Sequence, residues 1–422
     1  MHRSLLAIVA LLMSAGAARV WAASPPRPAK SPQPASAESR SLFDVVTSGW
    51  LRADRGGTGD PTTVALQRLG AQVETEFDLQ GKPFLVVTWN GDDDGIERLA
   101  GAKSVRWLDL SRTNITDTAL EHVGQMTQLQ VLKLQQTRVS DEGLVALHSL
   151  SALEGLTLHD TKVSAAGLRH LQPLANLRIL NLSWTRAGDS GMAAIASLAR
   201  LEELYLYDAK LTDKGMPHVA RLRNLRALKL SYNPITNEGL AQLKGMQRLE
   251  ALWLDFTQVG DAGLACLRTM PNLRGLFIGE CQVTDAGLAK LESIQGLEIL
   301  DLANLPVGDQ GVARLARCPR LQMLSLEGTM VSGAGLAPLG RLSRLTHVNL
   351  ANTEVDDACV AALASLQQLT QLNLAQTDVT DAALEHAASW PQLEQINLRG
   401  TKVSAAAVKR LQRERPKLKI DR

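Results

Sequence analysis

One spacing constrains this chain more than any other property: aliphatic residues recur every 24 positions. Stepping by 24 from Leu110 meets Leu134, Leu158, Leu182, Leu206, Leu230, Leu254, Ile278, Leu302, Leu326, Leu350, Leu374 and Leu398, with no insertion. The position two residues earlier behaves alike, from Leu108 through Leu156 and Leu252 to Val348 and Ile396. Such self-similarity marks stacked repeats, in which each unit buries its apolar face only against its neighbours. Roughly one residue in six is Leu and only 4% are aromatic, as an aliphatic repeated core requires.

The consensus LxxLxLxxTxVTDxGLxxLxxLxx divides into physical segments. In LxxLxL the last two Leu fall on one face of a short strand, and the residues beside them point the other way. A turn follows. The next boundary carries Ser, Thr or Asp in ten coils, such as Thr116, Ser140 and Asp356, and Gly in three (Gly188, Gly260, Gly308), all acceptable helix N-caps. Asp comes next in nine of thirteen coils, where its charge suits the first helical turn. GLxxLxxL then has helical spacing with an inward apolar stripe, and its Gly lets the helix start lie close to its neighbour.

These segments resemble the leucine-rich repeat family over residues 105–413, taken as thirteen repeats. The TD-x-GL segment looks most like the cysteine-containing subclass shortened to 24 residues, as in secreted bacterial repeat proteins. The resemblance implies an α/β fold: a right-handed solenoid (horseshoe) with a concave parallel sheet and convex short helices. One column departs from the family. Where Cys or Asn is usual, this chain has Thr113, Thr137, Thr161, Thr185, Thr257, Thr329, Thr353, Thr377 and Thr401; Asn233 and Cys281 keep the family types. The Thr hydroxyls are expected to form a ladder bonding backbone groups of adjacent coils, because buried backbone needs partners.

The flanks differ in composition. Residues 1–22 read as a signal peptide, with Arg3, the apolar run Leu5 to Ala18, and a cleavage site at Val20-Trp21-Ala22. The run is shorter than the ~20 residues of a spanning helix, so a secreted or periplasmic location without a transmembrane span is expected. Residues 23–40 read as a disordered Pro/Ser/Ala-rich tether. Residues 41–104 read as an N-terminal cap with a degenerate repeat: a helix from Pro61 to Gly70, then strands Ala71 to Phe77 and Phe84 to Thr88 around a turn at Gly81. Val86 and Ile96 stand 24 residues before Leu110 and Leu120 and are assigned their registers. Residues 414–422 form a C-terminal cap strand, kept soluble by Lys417, Lys419 and Arg422.

Chemistry is sparse. Lys+Arg number 45 against 43 for Asp+Glu, which disfavours nucleic acid as a partner. The four Cys occupy four different registers, so no disulfide is expected. The Asn90 to Gly95 stretch lacks the alternating ligands of a calcium loop and reads as an acidic turn. His122, His170 and His218 recur two coils apart, ~10 Å, too far to share a metal. No phosphate loop or nucleophile elbow occurs, so neither an enzyme nor a cofactor is expected.

The informative surface is concave. The outward positions of repeats four to eight hold Trp184, Tyr205, Tyr207, Tyr232, Trp253, Phe256 and Phe277, whereas the other eight repeats supply only Trp107. Strand propensity alone would spread aromatics evenly. The cluster is read as a binding patch, flanked by His159, Asp160, Asn181, Glu203, Asp208, Lys229, Asp255 and Glu280. It predicts a monomeric binding module for a protein or peptide. A carbohydrate or cell-wall binder, since aromatics also stack on sugar rings, and a structural spacer are the alternatives. Trp253→Ala is expected to leave folding almost unchanged. Asn349, Asn373 and Asn397 are expected to form a solvated polar column.

Overall fold

The computed structural model describes residues 51–52, 61–78 and 80–422; the leader assigned to residues 1–22 and the tether assigned to 23–40 lie outside them. The chain forms two compact units, one ending at Pro234 and the other running from Ile235 to Arg422.

The first unit begins with strand β1 (Leu51–Arg52), helix α1 (Pro61–Arg68) and strands β2 (Gln72–Phe77) and β3 (Pro83–Thr88). These three strands pair antiparallel, and Gly81 at φ 76° makes the turn between β2 and β3. β3 then pairs in parallel with the strand of coil one, Val105–Asp109. Coils two to six add the strands Val131–Lys133, Gly155–Thr157, Ile179–Asn181, Glu203–Tyr205 and Ala227–Lys229, in register at 24 residues. The second unit carries the strands of coils seven to thirteen, from Ala251–Trp253 to Gln395–Asn397, in the same parallel register. Helix Ala405–Glu414 follows, and strand Lys419–Asp421 pairs on coil thirteen. The thirteen residues of the Leu110 column are at most 1% exposed and form the core of both units. In several coils the convex segment is a 3-10 turn, as at Gly143–Ser149 and Gly263–Thr269, a tighter winding used in short pieces.

The helix starts are stitched from coil to coil by the Asp column. Asp141 accepts from the Ser164 N–H at 2.7 Å and the Ser164 hydroxyl at 2.5 Å, one coil later. Asp189 to Thr212, Asp309 to Ser332 and Asp381 to Ser404 repeat the pattern. The Ser164 and Ser404 hydroxyls also cap their own helices, as Ser164 does for the Ala166 N–H at 3.2 Å. Close approach explains the Gly column: a Cβ at Gly335 would lie 2.7 Å from Asp309 Cα. Asp93 makes this bond to the Thr116 N–H at 2.8 Å, so the acidic stretch before the first coil is part of the ladder.

Three expectations are corrected. Eight of the nine Thr hydroxyls do not bridge coils; each donates within its own coil, as Thr185 does to the Leu182 carbonyl at 2.6 Å and Thr329 to the Leu326 carbonyl at 2.6 Å, while Thr257 alone meets the next coil, at the Cys281 thiol, 3.4 Å away. A hydroxyl has one proton, and the carbonyl three residues back takes it, which leaves none for the neighbouring coil. The longer Asn233 amide does cross, donating to the Leu206 carbonyl at 2.6 Å, and the Cys281 thiol donates to the Leu254 carbonyl at 3.1 Å. Val86 is not in the Leu110 register. Val87 pairs opposite Leu108 and the Trp89 N–H reaches the Asp109 carbonyl, so the buried Trp89 takes the Leu110 position. The cap turn between strand and helix is shorter than in the coils, which the uniform step could not reveal. Finally, Asn349, Asn373 and Asn397 are buried, and each accepts from the backbone N–H two residues on at 3.0–3.1 Å. These Asx turns end the strands.

Candidate functional site

The strands are three residues long in most coils, and the chain then enters a tight turn. Its third residue beyond the strand has φ between +46° and +70° in all thirteen coils, from Arg112 to Gly400. Left-handed backbone disfavours a bulky side chain and suits Gly, Asn and Asp. Asp160, Asp208, Asn304, Gly328, Asn352 and Gly400 obey that preference. Arg112, Gln136, Glu280 and Gln376 depart from it with long polar side chains, and Trp184, Tyr232 and Phe256 depart from it with rings. They were expected on strands; the structure places them in this turn, where strand propensity supplies no reason for an aromatic ring.

These three are also the exposed members of the patch, at 47%, 38% and 44%. In the first unit Trp184, Tyr207 and Tyr232 form a ring ladder, with centroids 5.4 and 4.6 Å apart and tilts of 33° and 36°. The Lys229 ammonium lies 5.4 Å from the centre of the Tyr207 ring, a cation–π contact at the middle rung. His159 on the same side is held below its ordinary pKa by burial.

Tyr205, Trp253 and Phe277 behave differently. They occupy the middle outward strand position and are only 3%, 2% and 4% exposed, so the expected contact surface is not continuous with them. The Tyr205 hydroxyl donates to Glu203 at 2.7 Å in the first unit. In the second, Trp253 stacks on Phe277 at 5.1 Å and 10°. Flanking side chains crowd the middle column, so Trp253→Ala is now expected to cost stability. Phe256 stands at the turn of coil seven, also in the second unit.

The second unit carries carboxylates that the sequence reading named only in part. Asp255 and Glu280 were named; Asp301 and Glu327 were not. Asp301 follows Phe277 in the same cross-strand row. Burial first, then the neighbouring Asp255 charge, pushes its carboxyl up to about 7. The signal available in the sequence was an acidic residue at a strand position that is Asn in coils eleven to thirteen.

Other candidates are structural. The four Cys are free thiols, and burial pushes each up to about 11. Among the described residues, no group of His, Cys, Asp or Glu is arranged to hold a metal ion. No described helix is long and apolar enough to cross a membrane.

Comparison with known proteins gives the same architecture. Residues 97–286 match the family model of the leucine-rich repeat region. A search of curated protein sequences finds no match. Among solved structures, an internalin from Listeria monocytogenes aligns with a TM-score of 0.61 and 19% identity, over 78% of this chain and 93% of its own. A leucine-rich repeat protein from Leptospira interrogans aligns at 0.48 with 18% identity, over 79% of this chain and 100% of its own. The internalin likeness is one of fold. With its aliphatic 24-residue coils, its parallel one-strand steps and the family model that matches residues 97–286, the chain carries a leucine-rich repeat region and has the fold of leucine-rich repeat proteins.

Proposed function

We propose that this chain is a non-catalytic binding module, exported from the cell, that recognises a protein or peptide through the aromatic rim of its sheet face. The fold is one typical of protein-interaction modules. The observation that carries the reading is the placement of Trp184 and Tyr232. Both are exposed aromatics held in left-handed backbone, where six coils use Asp, Asn or Gly, four use the long polar side chains of Arg112, Gln136, Glu280 and Gln376, and only Phe256 is a third aromatic. Backbone cost and exposed apolar area both run against folding stability, so a role in contact with another molecule accounts for them. Tyr207 joins them into a ladder, and large rings supply contact area at low entropy cost.

The test is cross-linking capture from the native secretome with the mature chain and with Trp184→Asn, alongside a glycan array. A protein partner captured by the wild type and lost by the variant supports the reading. Capture unchanged by the variant removes the ladder as the site. Array binding without protein capture replaces the partner with a carbohydrate.

A further inference from the structure

The second unit holds a row that the aromatic ladder does not explain. Trp253, Phe277, Asp301, Ser325 and Asn349 stand opposite one another on consecutive parallel strands. Trp253 and Phe277 are stacked at one end of the row. Asp301 comes next, 8% exposed, with the Asp255 and Glu327 carboxylates close enough to repel it. The Ala303 N–H donates to Asp301 at 3.0 Å and Asn349 donates to Glu327 at 3.1 Å. His347, in the coil beyond, is neutral because burial lowers its pKa to about 4, and Glu298 in the same coil as Asp301 is engaged by Arg274 at 2.7 Å.

One buried donor in this row lacks a hydrogen-bond partner: Trp253 Nε1 has no acceptor, in a residue only 2% exposed, while the Ser325 hydroxyl lies against Asp301 and favours its charged form. A buried donor left in this condition is destabilising on its own, and so is a buried carboxylate facing like charges.

We propose that this row is a subsite for a cationic side chain, Lys or Arg, of a basic peptide segment in the partner. The cation would lie over the exposed edges of the Phe277 ring and the Asp301 carboxylate, 4% and 8% exposed, relieving the repulsion from Asp255 and Glu327. Aromatic faces and carboxylates together are the chemistry that recognises a cation. A peptide carbonyl near the stacked rings would accept from Trp253 Nε1. The proposal rests on the reading that this sheet face meets a protein partner, and narrows that partner's chemistry.

The experiment is fluorescence anisotropy with labelled hexa-arginine and hexa-lysine peptides, hexa-glutamate as control, and the mature chain. Asp301→Asn is the test variant, since Asn occupies this column natively at Asn349; Glu354→Gln controls for diffuse surface charge. The wild type should bind a basic peptide, Asp301→Asn should bind at least tenfold more weakly, and Glu354→Gln should match the wild type. Binding of the cation favours ionised Asp301, so wild-type affinity should rise about tenfold from pH 6 to pH 8, and the variant should lose that dependence. In parallel, the Asp301 carboxyl resonance should titrate at lower pH with peptide bound. No binding of either basic peptide, or equal binding by Asp301→Asn, overturns the subsite. Loss of partner capture in Trp184→Asn would still support the general reading, so the two failures are distinguishable.

Discussion

Asp309→Ala isolates the device that ties one helix start to the next. Asp309 accepts from the Ser332 N–H at 2.7 Å and the Ser332 hydroxyl at 2.6 Å. The substitution leaves both donors without that acceptor. Bonds to a charged group contribute ~1.5–3 kcal/mol each when buried, and partial exposure brings the pair to about 2 kcal/mol in total. For a unit of this size that is a melting shift of about 4–8 °C. Asp309→Asn keeps one acceptor oxygen and should cost about half. Asn237 already works this way, accepting from the Gly260 and Gly263 N–H groups at 2.8 and 3.0 Å. Scanning calorimetry of both variants beside Gln310→Ala, at an exposed neighbour, checks the size and the order. Equal melting of Asp309→Ala and Gln310→Ala would refute the coil-to-coil ladder.

The other predictions follow from the same contacts. Partial burial raises Asp309, but its Ser332 bonds outweigh this and hold it below the ordinary carboxylate value; the Ser404 N–H and hydroxyl lower Asp381. Their folded pKa values are depressed, so the stability they contribute is present above about pH 4 and lost as pH falls through those values, which a denaturant series from pH 7 to pH 2 measures. The four thiols are free and raised to about 11, so the melting temperature should not change with reductant and alkylation at pH 7.5 should be slow; a drop of several degrees would reveal a disulfide. A variant beginning at Lys103 removes β3 from the coil-one strand and should aggregate by size-exclusion chromatography, because it bares a strand edge.

Much of the architecture was legible because a fixed period forces neighbouring residues into columns. Leu110 and its equivalents keep one environment through thirteen coils, and the N-cap Ser and Thr and the Gly of the helix starts keep theirs through nine each. What failed was information a period does not carry. The bond of Thr185 is set by the carbonyl that takes its one proton, and the Trp89 register by a shortened turn. The burial of Tyr205 and Trp253 depends on neighbouring columns. The left-handed turn was written in the sequence as the mixture of Asp160, Asp208, Asn304, Gly328 and Asn352 in one column, but the strand pattern beside it obscured that signal. Asp301 resembled any outward polar residue until Asp255 and Glu327 were seen around it.

The central claim is that the exposed aromatics serve a partner and not the fold. Trp184→Asn tests it in one sample, by melting temperature and by partner capture. Asn suits the left-handed turn, a gain of about 1 kcal/mol, while the lost Trp184–Tyr207 contact costs about 0.5–1.5 kcal/mol. The two nearly cancel, so the melting temperature should stay within about 3 °C of wild type while capture is lost. A variant that melts many degrees lower, or one that melts normally and still captures the partner, would contradict the account.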